Sequence, residues 1–186
     1  MRMEEIESFL GIQIPQNIEI AEDSQVNFIN NSAARDKIWE EDPQFYIDQA
    51  VIIESTLNLK FSFTALGTVI VNNKMCEGHF PFFHFMPLAI LGQAVAQVGE
   101  LLILSLNGGD TIPIVIEVCK IRSIPPKGEI KTKKFIVPGD KLLIKICYKG
   151  GKFNIHKVKA EIYVEGNLMT NIEEITYASV DKNYFK

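Results

Sequence analysis

The segment Cys76-Glu77-Gly78-His79-Phe80-Pro81, continuing through His84, Met86 and Pro87, holds the densest set of groups able to do chemistry in this 186-residue chain. His79 offers an imidazole that titrates near neutral pH and can act as a general base. Taken alone, one histidine is more often a hydrogen-bonded structural side chain than a base. Cys76, His79 and His84 would leave a structural zinc in need of a fourth ligand, so no metal is expected. A lone cysteine such as Cys76 behaves as a small buried hydrophobe more readily than as a nucleophile. Further along, Gln93, Gln97 and Glu100 recur at i, i+4 and i+7 and therefore share one face of a helix. Buried polar groups need partners, so this face is expected to meet a cleft, a subunit boundary or bound water.

The helix that carries those three residues is expected from about 87 to 106, ended by Asn107-Gly108-Gly109. Thirteen of the 19 residues from 88 to 106 are Leu, Ile, Val or Ala, and they surround the axis. A helix apolar all round is buried in a protein core or in lipid. Pro81, Pro87, Gln93, Gln97 and Glu100 interrupt the run, so a core position is expected and no membrane span. Residues 50–56 and 59–71, before the helix, are rich in Ile, Val, Phe and Thr and predict strands. Five more strand-like stretches follow, near 112–122, 130–137, 141–148, 155–165 and 168–178. Val158, Ala160, Ile162 and Val164 alternate with Lys157, Lys159, Glu161, Tyr163 and Glu165, the period of a strand with one wet face. Glu165-Gly166-Asn167 reads as a hairpin turn. Strands, one helix and then a run of antiparallel strands make an α+β pattern. Residues 1–45 read as an N-terminal arm, with a short helix over 4–10 stopped by Pro15 and mostly irregular chain over 21–43. The main domain is expected over 46–180.

Gly78-His79-Phe80-Pro81, followed by Met86-Pro87 and by Ala94, Ala96 and Gln97, resembles the 3-hydroxyacyl-thioester dehydratases of fatty-acid synthesis, a hotdog-fold family. Phe135-Ile136-Val137-Pro138-Gly139-Asp140-Lys141-Leu142 is similar to that family's Pro-Gly-Asp turn, and Ser62-Phe63-Thr64-Ala65-Leu66 to its early strand. The resemblance covers about residues 50–178. It implies a hotdog fold, a curled antiparallel sheet wrapped around one long central helix. It also implies a homodimer or higher homo-oligomer, with pockets where His79 of one chain meets the helix of the other. The implied substrates are thioesters of acyl carrier protein or CoA, in fatty-acid or polyketide metabolism, and no cofactor is implied.

In the family's mechanism a neutral histidine removes the proton beside the thioester carbonyl, backbone N–H groups at the helix start polarise that carbonyl, and a carboxyl protonates the departing hydroxyl. The resemblance assigns His79 the first role and the Leu88 N–H the second. The family's acid falls on Gln93, which can donate a hydrogen bond but has no proton to transfer. Its helix-opening Gly falls on Leu88, and a Gly and a Pro of the preceding loop fall on Phe82 and His84. His79 and Gln93 are thus the candidate catalytic residues, and Phe80, Pro81, His84, Met86, Pro87, Leu88 and Gln97 the candidate substrate contacts. Phe82, Phe83 and Phe85 suit packing or the wall of an acyl pocket. The resulting expectation is a dehydratase-like lyase. Its rivals are a thioesterase or decarboxylase, in which Gln93 positions a water or a carboxylate, and a non-catalytic acyl-binding subunit.

Composition narrows the alternatives. A formal net charge of −4 argues against nucleic acid as a partner. Lys127, Lys131, Lys133 and Lys134 nevertheless cluster in one segment. That is a solvated loop by default and otherwise a docking patch for an acidic carrier protein. Three cysteines form no paired pattern. The N-terminal residues lack a long apolar stretch, so no signal peptide is expected. A reduced, cytoplasmic protein follows.

Overall fold

A computed structural model describes residues 3–38, 44–55, 63–77, 82–108, 111–123 and 135–185. In chain order the elements are α1 (Met3–Leu10), β1 (Gln25–Asn30), α2 (Asn31–Lys37), β2 (Gln49–Glu54), β3 (Phe63–Ile70), α3 (Asn73–Cys76), α4 (Leu88–Leu106), β4 (Thr111–Ser123), β5 (Lys141–Lys152), β6 (Ile155–Val164) and β7 (Asn167–Asp181). A 3-10 turn over Lys182–Phe185 follows. The seven strands form one sheet in the order β1-β2-β3-β5-β6-β7-β4, and every neighbouring pair is antiparallel.

The apolar helix predicted over 87–106 is α4, and it touches β2, β3, β4, β5 and β6. One helix can reach five strands only if the sheet curls around it. Val98, Leu101, Leu102 and Ile103 are completely buried against Ala65, Val69, Ile144, Ile146, Val158, Ala160 and Ile162. Each large aliphatic side chain so enclosed contributes about 1.5–3 kcal/mol. Length and composition alone would let α4 cross a membrane, but packing against this many strands is the setting of a core helix. Two glycines set how closely it seats. A side chain on Gly67 of β3 would collide with Val98, and one on Gly99 of α4 would collide with the Tyr177 ring. The Tyr177 hydroxyl then donates to the Ala96 carbonyl at 3.0 Å, pinning the middle of the helix to β7.

The opposite face of the sheet carries a second core. Ile6, Leu10, Ile14 and Ile18 of the arm cover Val51, Ile53, Leu66, Leu143 and Tyr163. This corrects the one wet face predicted for β6. Lys157 is exposed, but Tyr163 is buried because α1 and the chain after it lie over that end.

Residues 21–43 depart from the irregular chain predicted there, since β1 and α2 fall within them. The polar residues of β1 hide a strand whose order comes from its ladder with β2, Val26 opposite Ile53 and Phe28 opposite Val51. Asn30 then caps α2, its side chain accepting from the Ala33 N–H at 2.9 Å. The strand predicted near 130–137 falls partly outside the described residues, and residues 135–137 carry no strand. The hairpin at 165–167 is as predicted. Glu165 and Gly166 have φ of 51° and 75°, the paired positive values of a type I′ turn.

Candidate functional site

The start of α4 is held in place by backbone, not by a capping side chain. Val71, at the exit of β3, accepts from the Gly139 N–H at 2.8 Å and donates to the Asp140 carbonyl at 2.9 Å. Asp140 closes its own turn by accepting from the Val137 N–H at 3.0 Å. One residue before Val137, the Ile136 carbonyl accepts from the Met86 N–H at 2.7 Å. The Pro-Gly-Asp turn therefore ties together the strand that leads into the His79 segment and the residue that precedes the helix. Phe83 and Phe85 pack on Phe135, with ring centroids 5.2 and 5.0 Å apart, and hold the same connection from its other side.

Pro87 is the N-cap of α4 and makes no side-chain capping bond. Its carbonyl accepts from the Leu91 N–H at 3.1 Å, so the N–H groups of Leu88, Ala89 and Ile90 have no acceptor within the helix. They point out of the end that carries the positive half of the helix dipole. Beside this end, between α4 and the strands β4, β6 and β7, lies an apolar cavity of about 210 Å³. Leu88, Gly92 and Val95 form its helix wall, Val118 and Ile121 its β4 wall, and Ile175 part of its floor. The sequence pointed to the helix wall only. The β4 wall was hidden because a bulge between Val115 and Glu117, and a positive φ at Lys120, break the alternation from which its inward residues would be read.

The candidate residues separate into groups. His79, Phe80 and Pro81 lie outside the described residues, between Glu77 and Phe82. Met86 is buried at the helix entry, Pro87 caps the helix, and Leu88 is 64% exposed and lines the apolar cavity. His84 is exposed. Phe82 is 96% exposed, and Phe82, Phe83 and Phe85 are not among the described residues lining the cavity. Gln93 is half-buried on the open side of α4, along with Ala96 and Glu100.

Gln97 faces elsewhere. It is completely buried, its Oε1 accepting from the Tyr46 N–H at 2.9 Å and its Nε2 donating to the Gln44 carbonyl. It thus fastens the chain before β2 across the helix. The basic cluster Lys127, Lys131, Lys133 and Lys134 lies outside the described residues. Cys76 is buried, and burial together with the nearby Asp140 carboxylate pushes its thiol above the ordinary range, an unreactive setting for a thiol.

The architecture, one long helix wrapped by an antiparallel sheet, with an apolar cavity beside the start of that helix, defines a hotdog protein. Among solved structures, the chain is similar to the dehydratase heterocomplex ApeI:P from Xenorhabdus doucetiae. The TM-score is 0.57 at 14% identity, with 82% of this chain and 93% of that chain covered. It is also similar to a hot-dog-like protein from Thermanaerovibrio acidaminovorans, with a TM-score of 0.52 at 9% identity over 66% and 84% of the two chains. No protein-family model matches the chain. Among curated proteins it is 33% identical over 129 residues to the 3-hydroxyacyl-(acyl-carrier-protein) dehydratase FabZ of Caldicellulosiruptor saccharolyticus, covering 68% of this chain and 82% of the relative. The chain belongs to the FabZ dehydratase family.

Proposed function

We propose that this protein is a lyase that dehydrates 3-hydroxyacyl thioesters borne by acyl carrier protein or CoA. The observation that carries the reading is the apolar cavity opening beside the uncapped start of α4, the helix that follows Gly78-His79-Phe80-Pro81 in the sequence. An acyl chain would lie along the cavity between α4 and β4. Its carbonyl oxygen would take hydrogen bonds from the Leu88 N–H and its neighbour, aided by the helix dipole. His79 would remove the proton from the carbon next to the carbonyl, and the hydroxyl would leave from the following carbon.

The site is read as composite, each built from two copies of the chain. Among the described residues β4 pairs only with β7, and its 13 residues include the exposed Ile114, Ile116, Val118 and Ile121. A long apolar edge strand is a template for pairing with another chain, which supports a homodimer joined there. The cysteines Cys76, Cys119 and Cys147 are free, which supports work in a reducing compartment such as the cytoplasm.

Gln93 favours a second reading. A neutral amide on the open side of α4 suits positioning a water or a carboxylate, as in a thioesterase or decarboxylase, or passive acyl binding. Mass spectrometry of 3-hydroxyacyl carrier protein incubated with the protein separates these outcomes. Loss of one water is expected. Loss of the whole acyl group, or an unchanged mass, refutes dehydration.

A further inference from the structure

After proline, glycine is the residue least suited to a helix interior, so each glycine within α4 calls for a reason. Gly99 has one, since a side chain there would collide with the Tyr177 ring. Gly92, one turn after the helix start, has no such neighbour. Among the described residues nothing comes within 4 Å of where its Cβ would stand, and its φ lies outside the left-handed region. Neither packing nor backbone conformation within the described residues asks for glycine at this position. What Gly92 borders is the apolar cavity of about 210 Å³, with Leu88, Val95 and Ala96 beside it on the same helix.

We propose that the missing side chain at Gly92 sets the acyl-chain length this site accepts, making acyl groups of about seven carbons or more the preferred substrates. The inference rests on the dehydratase reading above and names the substrate class of the same site. With the thioester carbonyl at the Leu88 N–H, position 92 stands about 6 Å further along the helix. An extended hydrocarbon advances about 1.25 Å per bond, from a C–C length of about 1.5 Å and tetrahedral angles. About the sixth carbon therefore comes level with Gly92.

A four-carbon acyl group stops short of that point. An eight- or ten-carbon group passes it and runs on toward Ala96, about 12 Å from Leu88 by helix rise. The wall stays apolar over this stretch, with Val95 and Ala96 on the helix and Val115 and Val118 on β4. Each methylene taken from water into such a wall is worth about fourfold in affinity. A leucine at position 92 would fill the path before those methylenes reach it, because the space beside Gly92 is open.

Isothermal calorimetry of the intact protein tests this, with 2-oxoalkyl-pantetheine thioethers that keep the carbonyl, resist hydrolysis and carry chains of about four, six, eight or ten carbons. Wild-type affinity is expected to rise about tenfold or more from the six-carbon to the ten-carbon ligand. Gly92→Leu is expected to lower the ratio of ten-carbon to four-carbon affinity by about tenfold or more. Gly92→Ala should lower that ratio by a smaller factor while raising the Tm by about 2–4 °C, the gain of replacing a helical glycine. If Gly92→Leu does not fold, the ratio for Gly92→Ala decides. A wild-type affinity that is flat with chain length overturns the proposal, as does a Gly92→Leu variant that weakens every ligand equally or none. A Tm for Gly92→Ala at or below that of wild type also overturns it, because the glycine would then serve a close contact. Parallel mass spectrometry of the matching 3-hydroxyacyl thioesters keeps the two claims apart. A chain-length split at position 92 without loss of water refutes the dehydratase reaction and leaves the role of Gly92 standing. Loss of water with no split in binding does the reverse.

Discussion

Gln97 lies four residues beyond the position where the family keeps its acid, yet both ends of its amide are bonded to the backbone of the chain entering β2. Gln97→Met keeps the bulk and removes both bonds. The Tyr46 N–H would lose its acceptor beneath the helix, at a cost of about 1–3 kcal/mol for an unsatisfied buried donor. Gln44 is exposed, so water can reach its carbonyl and only the net value of one hydrogen bond is lost there, about 1 kcal/mol. The sum is about 2–4 kcal/mol, which lowers the Tm by roughly 5–15 °C for a chain of this length. Circular dichroism melting of wild type and variant measures it. Gln97→Glu should melt no higher than Gln97→Met, since a buried carboxylate is desolvated and its second oxygen would face the Gln44 carbonyl. A Tm within about 2 °C of wild type, combined with weakened acyl binding, would refute the argument and return Gln97 to the ligand.

Three further outcomes are expected. His79→Ala should lower kcat/KM for dehydration by at least about 10², the lower end for a lost general base, without altering the melting curve; a folded variant with wild-type turnover removes His79 from the mechanism. Gln93→Glu should raise dehydration by about 10–10³, because the introduced carboxyl, half-buried on α4, keeps its proton nearer neutral pH and can protonate the leaving hydroxyl; an unchanged or lower rate argues that position 93 never meets the hydroxyl. His156 is buried, with Nδ1 3.3 Å from the Tyr148 hydroxyl and Nε2 3.4 Å from the Asn107 amide nitrogen, and burial lowers its pKa from the ordinary 6.5. The unfolded chain therefore takes up this proton first, so stability is complete above pH 6.5 and falls as the pH drops below it, by up to about 1.4 kcal/mol per pH unit. Urea midpoints at pH 7, 6 and 5 should fall less steeply for His156→Gln than for wild type, and equal slopes would contradict the assignment.

The elements legible in the sequence were those whose own residues state their surroundings. The burial of α4 is written in apolar residues all around its axis, the 165–167 turn in Gly166, and the start of α4 in Met86-Pro87. Elements ordered by distant partners were not legible. β1 exists because β2 offers it a ladder, and nothing local distinguishes Gln25–Asn30 from loop. Tyr163 occupies an alternating position that solvent would explain equally well, until α1 is seen to lie across it. Gln97 carried the same ambiguity. Its shared face with Gln93 and Glu100 is real by angle, but 40° of rotation places it under the 44–46 segment while the other two stay open. The β4 wall was lost to a bulge, which shifts inward residues by one position.

Leu88 and Gln93 together constrain how any elimination here can run. With an amide at position 93, where the family keeps its acid, the proposed course has the imidazolium formed when His79 takes the α-proton also serve as the donor to the departing hydroxyl. The balance closes on one residue: the C–H electrons become the new double bond, the C–O bond breaks, and the proton leaves with the oxygen as water, restoring neutral His79. The Leu88 side chain favours this course. It lines the apolar cavity while its N–H faces the helix end, so the reacting carbons would sit against hydrocarbon. A two-residue site needs its base deprotonated and its acid protonated, which gives a bell-shaped pH profile of kcat/KM. A one-residue site needs only neutral His79, so kcat/KM should rise tenfold per pH unit through one ionisation and then stay level. Gln93→Glu should restore the descending alkaline limb along with the faster rate. A bell-shaped profile in the wild type would show that a second titrating group already serves as the acid and that the one-histidine course is wrong.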